Sequence, residues 1–201
     1  GITNISTDDV AIAQELGYVI KLVGDVREVE SGISAEVSPT FLPKNHPLAS
    51  VNDVMNAVFV ESIGIGESMY YGPGAGQKPT ATSVLADIIR IARRLSDGNV
   101  GKPFNEFHRD LPLANPADVK SNYYFALDTP DEKGKILHLS EIFNSEDISF
   151  EQVLQQKANG TTARIVVITH AMSKTQLKAV TEKLEAAEDF TVVNTLKVLS
   201  N

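Results

Sequence analysis

The stretch Tyr70-Tyr71-Gly72-Pro73-Gly74-Ala75-Gly76-Gln77-Lys78-Pro79-Thr80-Ala81-Thr82 sets glycines and prolines between a β-rich run and a long helical pattern. Without a Cβ, Gly72, Gly74 and Gly76 allow φ > 0 and let another molecule come close to the backbone amides. Pro79 suits the first turn of the helix that follows, and Thr80 suits its cap. A helix start carries unpaired N–H groups and a partial positive charge, so it is a general end for an anion or a dipole. A plain strand-to-helix turn has the same composition, and spacing alone does not separate the two. The stretch is not a Walker loop, since no Gly-Lys-Ser/Thr follows. It is not the Rossmann fingerprint either, because Pro79 and not a third glycine follows Gly74 and Gly76.

Around this turn the chain reads in order. Thr7-Asp8-Asp9 opens a short helix with Val10, Ala13 and Leu16 on one face, stopped by Gly17. Tyr18–Val23 and Ile33–Val37 read as an antiparallel hairpin turning at Glu30-Ser31-Gly32. Pro39 to Ala49 is proline-broken and reads as a crossover with one helical turn. Asn56–Ser62 and Gly66–Tyr71 are two further strands, the second entering the glycine turn. Beyond it Val84, Ile88, Ile91 and Leu95 mark a helical face, widened by Leu85, Ile89 and Ala92.

Residues 97–120 carry Asp97-Gly98-Asn99, Pro103, Pro112 and Pro116 without a sustained period, and read as a linker. After it come strand 122–128, helix 135–143, strands 148–155 and 163–169, helix 173–187 and strand 190–199. Ser173-Lys174-Thr175-Gln176 has the capping-box pattern. The expected fold class is therefore α+β: an antiparallel-rich sheet with helices over 1–96, then a ferredoxin-like βαββαβ domain over 121–201.

Composition narrows the chemistry. The formal net charge of −8, with no local Lys/Arg stripe, speaks against a nucleic-acid partner. There is no cysteine, which removes disulfides, thiolate nucleophiles and Cys-based zinc sites together. His46, His108, His138 and His170 are not spaced as ligand pairs, so no metal site is expected. No apolar run reaches the ~20 residues of a membrane span, and the N-terminus lacks the order of a signal peptide. A cytoplasmic protein with no membrane partner is the expectation.

Taken in sequence, Ile20-Lys21-Leu22, Pro39-Thr40, His46-Pro47-Leu48-Ala49, Asn56-Ala57-Val58, Tyr71-Gly72-Pro73-Gly74-Ala75-Gly76 and Pro79-Thr80-Ala81 resemble the later part of the catalytic region of homoserine dehydrogenase. The resemblance runs from about Gly1 to Leu95. The second domain resembles the ACT regulatory module that many bacterial members carry at the C-terminus. The resemblance implies an NAD(P)-dependent oxidoreductase interconverting L-homoserine and L-aspartate 4-semialdehyde, on the route to threonine, isoleucine and methionine. The family's Rossmann domain, catalytic lysines, acidic substrate-holding residues and sodium site have no counterpart here. Gly1 then reads as a truncation boundary, with no catalytic residue in the segment and no activity from it alone.

What the resemblance carries over is the glycine turn. Gly76 is the residue whose backbone is expected to meet the NAD(P) cofactor, with Gly74 and Ala75 beside it. The usual ACT effector loop, Asp-x-Pro-Gly, is replaced by the longer, more charged Asp128-Thr129-Pro130-Asp131-Glu132-Lys133-Gly134, which weakens the expectation of an amino-acid effector. Exposed sheet edges imply a homo-oligomer, at least a dimer. A rival reading is a non-catalytic, dimerising ACT module that senses an amino acid.

Overall fold

The computed structural model describes residues 1–99, 109–157 and 161–199 of the chain. Helix α1 (Thr7–Glu15) leads into a hairpin of β1 (Tyr18–Val29) and β2 (Gly32–Pro43). A 3-10 turn at Pro47–Ser50 precedes β3 (Met55–Ser62), β4 (Gly66–Pro73) and α2 (Gln77–Ser96). The rest is β5 (Lys120–Pro130), α3 (Lys135–Asn144), β6 (Phe150–Lys157), β7 (Thr162–Thr169), the two-residue β8 (Met172–Ser173), α4 (Lys174–Ala186) and β9 (Thr191–Val198). The chain forms two compact units, Gly1–Lys44 with Leu111–Asn201, and Asn45–Asp110.

In the first unit β5 lies between β7 and β9, antiparallel to both, and β6 pairs antiparallel with β7. One face of these strands is closed by α3 and α4: Leu139, Phe143, Val180 and Leu184 pack on Tyr123, Phe125, Leu127, Ile165 and Val167. Helix α4 starts on a complete capping box, in which Ser173 and Gln176 satisfy each other's backbone N–H groups. This is the βαββαβ arrangement expected from the periodicity.

The sheet does not end there. β2 continues it in parallel with β9 through Thr40↔Lys197 and Phe41↔Val198, and Leu199 N–H donates to the Phe41 carbonyl at 2.9 Å. The strand order is thus β1-β2-β9-β5-β7-β6, with β8 attached to β5. The hairpin expected in a separate first domain instead shares a sheet with the ferredoxin-like part.

Helix α1 closes the other face. Ile12 and Ala13, with Phe41, pack on Tyr124, Ala126, Val166, Ile168, Leu196 and Val198. A strand covered on both faces reads as an unbroken apolar run, and Tyr123-Tyr124-Phe125-Ala126-Leu127 is such a run, buried throughout.

The hairpin is also longer than its sequence suggested. β1 and β2 pair from Tyr18↔Pro43 to Val29↔Gly32, so Pro39 and Pro43 are strand residues, not part of a crossover. The carbonyl of Phe41 points toward β9, and N–H and C=O directions alternate along a strand. Pro39 and Pro43 share the parity of Phe41, so their missing N–H groups face away from β1 and cost no ladder bond there.

In the second unit β3 and β4 form an antiparallel hairpin from Met55↔Pro73 to Ser62↔Gly66. No residue of α2 is buried, and Val84, Leu85, Ile88, Ile89, Ile91 and Leu95 are each 50 to 58% exposed. Among the described residues no helix is long and apolar enough to cross a membrane.

Candidate functional site

The glycine turn joins β4 to α2. Its first fixed point is Gly74, whose N–H donates to the Val54 carbonyl at 3.0 Å. A Cβ at Gly74 would lie 1.3 Å from Nδ2 of Asn56, so this glycine is required by the close approach of a side chain from β3. Ala75 is exposed beside it.

Gly76 plays a different part. It is the N-cap of α2, with φ 129° and ψ 155°, a region open essentially to glycine alone. Its carbonyl accepts from Thr80 N–H at 3.1 Å. The helix therefore begins at Gln77, and Thr80 is not its cap as the sequence suggested. Pro79 falls at the third helical position, where an N–H has no intrahelical partner to lose. A Cβ on Gly76 would meet only the Pro79 ring, at 3.4 and 3.7 Å.

No side chain caps α2, no acidic residue lies in its first turn, and Lys78 is exposed there. Positive helix-end potential, a nearby cation and an exposed glycine bounded at its Cβ position by the Pro79 ring fit the polar end or phosphate of a nucleotide reaching the backbone. The residues present are thus compatible with the NAD(P) contact placed on Gly76, Gly74 and Ala75.

The histidines are not gathered. His46 Nδ1 accepts from Leu48 N–H at 3.2 Å and caps the 3-10 turn; its ring lies 4.9 Å from that of Phe59, and burial lowers its pKa. His138 Nδ1 is 3.0 Å from the Asp189 carboxylate. His108 lies outside the described residues. Among the described residues no three His, Asp or Glu side chains come together as a metal group.

In the expected effector loop the Asp128 carboxylate is engaged by Arg164, with Nε and Nη2 at 2.8 and 3.0 Å from its two oxygens. Gly134, in the left-handed region, starts α3 with no side-chain cap.

Two polar clusters escaped the sequence reading. Asp9 is 2% exposed and accepts from Ser6 N–H and Oγ, Tyr124 Oη and Asn194 Nδ2, all at 2.8 to 3.0 Å. The Ser-x-x-Asp spacing at Ser6 was its one local signal. Around Lys197, 6% exposed, lie Asp25 and Glu36 of the hairpin, with Glu36 also bound by Lys174 at 2.5 Å. Burial acts to raise the Glu36 pKa, but the two ammonium groups outweigh it and hold the carboxyl below its usual value. No spacing rule links residues so far apart in the chain.

Comparison with known proteins places this geometry. Residues 1–89 match the sequence profile of the family described as homoserine dehydrogenase. The chain is 60% identical over its 201 residues to homoserine dehydrogenase of Lactococcus lactis, covering 47% of that protein. It is 34% identical to that of Bacillus subtilis over 94% of this chain and 44% of the relative. The crystal structure of a homoserine dehydrogenase from Thiobacillus denitrificans superposes with a TM-score of 0.89 at 30% identity, over the whole of this chain and 47% of that one. The chain spans about half the length of the curated relatives it matches. With the ordered motifs, the matched profile and similarity along the whole of this chain in agreement, the chain belongs to the homoserine dehydrogenase family.

Proposed function

We propose that this chain is the later half of a homoserine dehydrogenase, the NAD(P)-dependent oxidoreductase that interconverts L-homoserine and L-aspartate 4-semialdehyde in a cytoplasmic homo-oligomer. Of residues 1–96, the part contributed to the substrate domain, 1–44 also extend the sheet of 121–201, an ACT-type domain open to an amino-acid effector, and 97–120 form the connection. The cofactor, when bound, takes up or gives the hydride. What this chain adds is position.

The observation that carries the reading is Gly76: an uncapped helix start whose backbone stands open in a conformation that admits essentially glycine alone. Its amides and the α2 dipole hold a polar end of the nucleotide, and the packing of Gly74 on Asn56 fixes the turn that presents them. The exposed apolar stripe of α2 supports the same reading, as a face that a further part of the enzyme covers.

Grafting supplies the test. This chain replaces the matching segment of the Lactococcus lactis enzyme, and homoserine-dependent reduction of NAD(P) is measured. Turnover near that of the parent is expected, with none from the 201-residue chain alone. A folded, cofactor-binding chimera without turnover would overturn the proposal.

A further inference from the structure

The β1–β2 hairpin is amphipathic in the reverse of the usual sense. Toward α4 and the sheet it presents Asp25, Arg27, Ser34, Glu36, Ser38 and Thr40 with a half-buried Val23 among them, while the opposite face presents Leu22, Val26 and Val37 at 54, 71 and 69% exposure. A hairpin held by its apolar side would bury the second set. This one is held by its charges.

Its backbone attachment to the sheet is short. β2 meets β9 at only two register positions, Thr40↔Lys197 and Phe41↔Val198. From Ser38 outward no ladder to β9 continues, and side chains take over. Lys197 spans the gap to both Asp25 and Glu36. Lys174, at the first position of α4, holds Glu36 from the other side. Arg27 donates to the Lys120 carbonyl at 3.1 Å and to Ser121 Oγ at 3.0 Å. At the tip, Ile33 N–H donates to the Pro112 carbonyl and its own carbonyl accepts from Ala114 N–H, both at 2.9 Å.

We propose that residues 22–38 form a charge-latched arm that opens as a unit about the Thr40–Phe41 junction, with Lys197 as the latch, while the ferredoxin-like sheet stays closed. The two structures have different supports. The sheet is sealed on both faces by apolar packing, whereas the arm rests on ion pairs and a few polar bonds, whose loss strands partly buried carboxylates. Lys197 belongs to β9 and Lys174 to α4, so any change in the sheet or in α4 that shifts these two cations is felt by the arm first. Opening frees the arm's polar face.

Native-state hydrogen exchange on the 201-residue chain tests this, peptide by peptide, for the parent, Glu36→Gln and Lys197→Met. Glu36→Gln keeps the side-chain shape and removes one charge; Lys197→Met removes the shared cation. The expected result is exchange about tenfold faster or more across 22–38 in each variant, with 123–128 and 163–168 unchanged. Equal acceleration in arm and sheet would mean that the cluster is one more part of a single cooperative core. No acceleration in the arm would mean that the ion pairs do not hold it. Either result overturns the proposal.

Discussion

The phenolic hydroxyl of Tyr124, at the centre of β5, donates to the buried carboxylate of Asp9 on α1 at 3.0 Å. This bond ties the first helix of the chain to a central strand of the same compact unit. Burial acts to raise the Asp9 pKa, and the bonds from Ser6, Asn194 and Tyr124 outweigh it, so the carboxyl titrates below its ordinary 3.8. A depressed carboxylate stabilises the fold fully above that value, and its contribution is lost as pH falls through the folded pKa. Asp9→Asn is expected to cost about 1–3 kcal/mol at neutral pH and to flatten the loss of stability between neutral and strongly acidic solution. Urea unfolding midpoints across that range check both points. A variant as acid-sensitive as the parent would assign the effect elsewhere.

Gly74 and Asn56 are expected to behave as a coupled pair. Gly74→Ala drives a methyl into the Asn56 amide, at a cost of about 1–3 kcal/mol as overpacking. In Asn56→Ala the space is vacated, so the double variant loses less than the sum of the two single changes. A thermal-melt double-mutant cycle with no coupling energy would refute the contact.

Gly76 separates cofactor from turn in the whole enzyme. A side chain there is strained by φ 129°, worth about 1–3 kcal/mol of stability. If the backbone also meets the nucleotide, Gly76→Val weakens NAD(P) affinity or turnover well beyond that loss. Cofactor titration and melting temperature on one preparation decide it: a destabilised variant with unchanged affinity and turnover per folded molecule leaves Gly76 as a turn residue only.

The exposed apolar residues of α2 and of the hairpin, Leu22, Val26 and Val37 among them, predict self-association of the isolated chain. Light scattering is expected to give at least a dimer mass, and a monomer at high protein concentration would contradict it.

The ferredoxin-like half was legible because each element announces itself locally. Ser173 and Gln176 cap α4, Leu177, Val180 and Leu184 mark its face, and β5 is an unbroken apolar run. The hairpin was legible only in its two most regular stretches. Pro39 and Pro43 look like breakers, and nothing in the sequence says that their missing N–H groups face away from β1. The start of α2 was placed late because Pro79 and Thr80 carry the usual signals for a helix beginning, while Gly76 caps by conformation and not by a side chain. The pairing of β2 with β9 spans most of the chain, and its two-residue contact left no periodic trace. In the turn proposed as the site, the need for glycines could be read from the sequence, but not that Gly74 answers to Asn56 and Gly76 to its own backbone angle.

Because α1 and the hairpin complete the sheet formed by β5 to β9, the chain's two ends share one interior, with Asn45–Asp110 spliced between them. Recombination between relatives is constrained accordingly. A crossover near residue 110 would bring Ile12 and Phe41 from one parent against Tyr124, Ile168 and Val198 from the other, and only parents matched at these positions would give a folded hybrid. Exchange of 45–110 as a cassette leaves that interior with a single ancestry.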